Sequence, residues 1–180
     1  MSEDQTWTHL AFDRLIQDHV APALKAQGYK KQGLNWRLFR PDTPARWQVV
    51  SLQKSRFSNR EEISFTFELG IHWIDAPSTH LPPLGKSGPS VQSCQLQSRI
   101  GRLDSEHRDI WWDIDGGRWG PGHGPDCLEP VLAQLMPLLN ESLPLWMHKY
   151  RQLPTTLDAD ADMLHMPSYM LIPGQRFESK

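Results

Sequence analysis

The chain has 180 residues, 38% of them hydrophobic and 22% charged, with a formal net charge of −2. That length fits one domain able to bury a core without staples, and the slight acidic excess speaks against a generic nucleic-acid binder. Two cysteines, Cys94 and Cys127, are too few for a disulfide framework, no stretch is long enough for an apolar span, and Met1–Gln5 is acidic without an apolar run; the expectation is a cytoplasmic protein with reduced thiols, no signal peptide and no membrane helix.

A helix is expected from Thr6 to Gln27, because Leu10, Ala11, Leu15, Ile16, Val20 and Leu24 recur at three and four. Pro22 falls inside it and predicts a kink or short break near Val20. Gly28 suits the left-handed position after a helix end. Lys30–Arg40 reads as a first strand, Pro41–Pro44 as a turn and Trp47–Ser55 as a second strand. Ile63 to Trp73 is apolar at every odd position and carries Ser64, Thr66, Glu68, Gly70 and His72 at the even ones, the period of a strand with one face buried. Ala76–Ser90, rich in Pro and Gly, reads as a loop of about fifteen residues, mobile and carrying no regular structure.

Ser98–Leu103 and Asp109–Ile114 follow as short strands, and a glycine-rich segment leads to a second helix. Asp126 with Glu129 fits a capping box, and Leu128, Val131, Leu132, Leu135, Met136, Leu139 and Leu143 give its stripe. Pro137 should bend it, and Ser142 could cap a further short helix bearing Trp146 and Tyr150. Residues 154–180 read as a tail packed in pieces or partly mobile, leaving 1–153 as a single domain. The element order predicts an α+β fold, an antiparallel sheet of about five strands with N- and C-terminal helices on one face. Eight tryptophans without a fixed period argue against a repeat array.

Five short motifs in order resemble domain-of-unknown-function family 4304, a group of bacterial, cytoplasmic proteins. They are Leu24–Lys31, Gln53–Phe57, Phe65–Ile71, Arg99–Gly101 and Trp111–Trp112, within a likeness that covers roughly 9–150. Tyr29 stands where the family usually has Phe. The resemblance implies an α+β fold and carries no functional residues over.

The polar side of the central strand is the first candidate site. Gln53, Ser55, Glu68, His72 and Arg99 could share it, with Ser51 and Thr66 nearby. Glu68 and His72 lie roughly 13 Å apart along one strand, too far for a direct acid–base pair. The ordinary alternative is a solvated face of cross-strand pairs. Asp113, Asp115, His123, Asp126 and Cys127 match no standard metal site, and no nucleophile motif or phosphate loop is present. No metal and no cofactor are therefore expected. Lys54, Arg56, Arg60 and Phe57 form a local basic-aromatic group, too small to make nucleic acid the expected partner. The sequence favours a non-enzymatic binding protein whose partner is another protein, engaged through Arg56, Trp111, Arg118 and Trp119. Its concrete form is an immunity-type inhibitor of a bacterial toxin. The alternative is a small-molecule-binding or hydrolytic enzyme on the polar face.

Overall fold

The apolar stripe through Leu15, Ile16, Val20 and Leu24 winds into a helical run, α1 (Trp7–Arg14), a wider π turn (Leu15–Val20) and α2 (Ala21–Ala26). The computed structural model describes residues 7–76, 81–115 and 128–153 and the backbone of 163–164. Pro22 does not break the run, since both junction residues, Val20 and Ala21, keep right-handed helical angles. Proline has no N–H, and the π turn moves the Ala21 N–H one carbonyl further back, onto Ile16. The C-terminal run repeats the device. It comprises α3 (Glu129–Pro137), a π turn (Leu138–Ser142) and α4 (Leu143–Lys149), with Pro144 placed as Pro22 is. Ser142 is helical and caps nothing, so the expected separate short helix is a continuation. Leu128, before α3, is already helical and makes no side-chain capping bond, and the Asp126 cap expected from the sequence lies outside the described residues.

Among the described residues seven antiparallel strands form one sheet: β1 (Lys30–Gln32), β2 (Asn35–Arg40), β3 (Arg46–Lys54), β4 (Glu62–Trp73), β5 (Leu96–Arg99), β6 (Trp112–Asp115) and β7 (Met163–Leu164). The fold is α+β, with helices at both ends of the order. The expected strand Lys30–Arg40 is a hairpin, because Gly33 turns the chain at φ +60° and Gln32 pairs with Asn35 across Gly33–Leu34. A glycine at the first position of such a turn carries the positive φ without strain. The expected strand at Ser98–Leu103 lies earlier, as β5, and the chain then tightens into a 3₁₀ turn at Ile100–Leu103.

The odd positions of β4 face the helices. Phe65, Phe67, Leu69 and Ile71 are all 0% exposed in one cluster with Phe12, Leu15, Leu135 and Leu139. Phe12 meets Phe65 edge-on, ring centroids 5.3 Å apart. Each such side chain contributes roughly 2 kcal/mol by burial.

The other face is not open throughout, as the alternating pattern had led one to expect. Pro89–Gln95 lies across the far half of β3 and β4 and is pinned there. Arg37 Nε donates to the Pro89 carbonyl at 2.7 Å, and Gln95 brackets the Trp73 backbone with bonds of 3.0 and 3.1 Å. Val49, Val91 and Cys94 make a second, smaller core beneath it. Gly70 permits this approach, since a Cβ there would stand 2.6 Å from Cys94 Sγ.

β5 and β6 occupy the same edge of β4 in line, β5 opposite Glu68–Ile71 and β6 opposite Glu62–Phe65. Between them the chain makes an excursion whose neck is closed by Gly101 against Ile110. Asp104 holds the excursion internally, accepting from the Glu106 and Arg108 backbones and from the Arg108 guanidinium. β7 adds to the free edge of β5.

Candidate functional site

Antiparallel register places directly opposed residues on one face. On the face away from the helices, Gln32, Asn35, Ser51, Glu68 and Arg99 therefore form one row across five strands. Opposed side chains in such a row stand about 5 Å apart. The covering segment reaches the row only at Glu68, through Gln92, so Asn35, Ser51, Glu68 and Arg99 remain half-buried rather than sealed.

Glu68 is the centre. Burial raises its carboxyl above the ordinary value, while Arg99 and then a hydrogen bond from Gln92 Nε2 at 3.3 Å pull it back down. Arg99 is gripped from its other side: its Nη1 pairs with Asp109, and its guanidinium lies 5.3 Å from the Trp111 ring centroid. A planar cation set over an indole and paired with a carboxylate is held in orientation as well as neutralised.

The remaining candidates are dispersed. Gln53 shares the face beside Thr66, its Oε1 buried and without a partner among the described residues. Ser55 belongs to the β3–β4 turn, where its Oγ accepts from the Phe57 N–H. His72 is on the face but under the covering segment, 4% exposed, its Nδ1 2.8 Å from the Ser93 carbonyl. Burial of the ring lowers its pKa and the bond to Ser93 raises it in part. The structure brings Glu68 and Arg99 together and leaves His72 and Ser55 apart from them. Arg56 stacks over the exposed Phe57 ring at 4.7 Å, outside the row. Arg118 and Trp119 lie outside the described residues, as do His123, Asp126 and Cys127. Among the described residues no group of three or more His, Cys, Asp or Glu could hold a metal.

Gln92 and Asp109 complete the patch and were not singled out from sequence. Both come from segments without periodicity, which carry no sequence signal of where the chain returns.

A family profile described as a domain of unknown function (DUF4304) matches residues 20–118. The chain belongs to this family. The DUF4304 match is narrower than the 9–150 over which the motifs are alike, and it contains all of β1–β6. Glu68, Gln92, Arg99, Asp109 and Trp111 thus belong to the DUF4304 portion, whereas α3 and α4 fall outside it. No curated protein and no solved structure matches the chain.

Proposed function

We propose that the chain is a non-enzymatic binding protein whose partner is another protein, seated on the open half of the sheet's second face. The observation that carries this reading is the Arg99–Trp111 stack, half-buried and braced by Asp109 and Glu68. Arginine and tryptophan are the side chains most enriched where interfaces concentrate their energy, and a braced pair loses little rotamer freedom on contact. The rim is polarised: Lys30 and Arg37 stand opposite each other at one end, Glu62 and Asp113 are exposed at the other. A complementary partner presents acidic groups to the first end and basic groups to the second.

The finer form of this reading is a cytoplasmic bacterial inhibitor that covers the working surface of a toxin. A small acidic chain with a rigid polar-aromatic face suits such a role. The alternative of a hydrolytic enzyme on this face needs a free base beside Glu68, and His72 instead turns its Nδ1 to Ser93.

The test compares wild type with an Arg99→Ala/Trp111→Ala double variant of unchanged thermal stability. Wild type retains a defined partner in affinity purification at moderate salt; the double variant loses it and Lys149→Ala keeps it. Equal retention by the double variant, or a wild-type chain that retains nothing and stays monomeric at high concentration, overturns the proposal. For the inhibitor form, a neighbouring gene product is toxic alone and harmless when co-expressed with this chain.

A further inference from the structure

On the opposite, helix-bearing face, where β2 ends and β3 begins, the sheet and helices leave a cleft of about 540 Å³. Such a volume suits a small organic ligand. Arg40, Asp42, Arg46 and Gln48 form its sheet wall, Gln27 and Tyr29 close one side, and Pro144, Met147 and His148 of α4 close the other.

Its polar groups are out of balance. Arg40 and Arg46 are directly opposed across β2 and β3, an arrangement that costs stability when like charges have nothing shared between them. One carboxylate is at hand: Asp42 takes Arg46 Nη1 at 2.9 Å, and that same Nη1 also reaches the Pro44 carbonyl at 3.2 Å. No carboxylate stands within ion-pair distance of Arg40 among the described residues. Arg46 is 5% exposed, and its Nε has no acceptor among the described residues. A buried guanidinium N–H left unmatched is a costly feature that a native structure retains for a reason.

Tyr29 and His148 add further donors. The Tyr29 hydroxyl is buried and finds only Gln48 Oε1, at 3.5 Å, long for a hydroxyl bond. Burial raises its pKa, so it stays a proton donor. His148 accepts from Arg151 through Nε2 at 3.0 Å, which leaves the other ring nitrogen to carry the proton. The side chains of Met147 and Pro144 supply an apolar wall.

We propose that this cleft binds a small organic anion, its carboxylate or phosphate head held by Arg40, Arg46 and the Tyr29 hydroxyl and its body lying along Met147 and Pro144. The anion supplies the acceptors that Asp42 alone leaves short. A paired guanidinium site of this kind takes a planar or tetrahedral oxyanion by forked hydrogen bonds. The site stands independently of the protein-binding face, from which the sheet separates it.

The experiment titrates the ¹⁵N-labelled full chain with benzoate, with inorganic phosphate and with sodium chloride as an ionic-strength control, following the Arg46 Nε–H resonance. Benzoate or phosphate gives saturable shifts that chloride does not, and whichever saturates at lower concentration identifies the head group. Arg40→Gln, a change at an exposed residue, weakens that binding at least tenfold, and Tyr29→Phe weakens it several-fold with the fold intact. Shifts that do not saturate with either probe, that chloride reproduces, or that Arg40→Gln leaves unchanged overturn the proposal.

Discussion

Gln27 donates its side-chain amide to the Leu139 carbonyl at 2.9 Å, joining the end of one helical run to the middle of the other, 112 positions away. The carbonyl is short of donors in its own helix. The Leu143 N–H, its ordinary partner, is taken by Leu138 in the π turn, and the next residue, Pro144, has no N–H to offer. Gln27→Ala is expected to cost about 1–2 kcal/mol by leaving that carbonyl unpaired. Pro144→Ala restores a local N–H, so the double variant should lose less than the sum of the two single effects. Urea unfolding of the four proteins measures the coupling, and strict additivity would show that the amide bond does not answer the π turn.

Gly70 supports the segment that crosses the sheet. Gly70→Ala drives a methyl into Cys94 and should destabilise by about 1–3 kcal/mol. Adding Cys94→Ala removes the sulfur but not the Cβ, which is itself 3.0 Å away, so recovery should be partial. Thermal melts of the single and double variants decide this, and a neutral Gly70→Ala contradicts the close packing.

The thiol of Cys94 is sealed, its Sγ 3.3 Å from the Ser90 carbonyl, and burial pushes its pKa up. A thiol reagent at pH 8 should leave Cys94 untouched in the native protein and modify it at the rate of unfolding. Mass spectrometry of the labelled peptide reads the outcome, and modification within the dead time of mixing would refute the sealed site.

His72 sets a pH dependence. Its folded pKa lies below the ordinary 6.5 because burial favours the neutral ring. The unfolded chain therefore takes up the proton first, and stability falls as pH drops below about 6.5 toward the folded value. Glu68, raised by burial, has the opposite sign, and its contribution fades as pH climbs from about 4.5. His72→Asn keeps a donor for Ser93 and removes the titration. It should flatten the melting temperature between pH 7 and 5.5, whereas an unchanged slope assigns the effect to another group.

The helical stripes and the alternation of β4 were legible because one period dominated each. The hairpin at Gly33 was hidden by Leu34, Trp36 and Leu38, which continue a period of two straight through the turn. The buried second face was hidden because Ser64, Thr66, Glu68, Gly70 and His72 read as solvated; adjacent Val49 and Val50, apolar on both sides of one strand, were the available sign of a cover. Of the candidate site, Glu68 and Arg99 emerged from sequence as neighbours on one face, while Gln92 and Asp109 depend on loops whose course no periodicity encodes. The cleft was invisible for a different reason. Arg40 and Arg46 become opposed only once the hairpin register is set, and both look like surface charge until then.

β5 and β6 are two halves of one line along β4, pinched apart where Gly101 meets Ile110. Strand register is held on either side of that neck, so the excursion can be lengthened, shortened or exchanged without shifting a single ladder bond. Because Asp109 belongs to the excursion and Trp111 follows its neck, the grip on Arg99 can be rewritten as a cassette while the scaffold stays as it is. Freedom to vary the grip on Arg99 and constancy of architecture are thereby assigned to different stretches of the same chain.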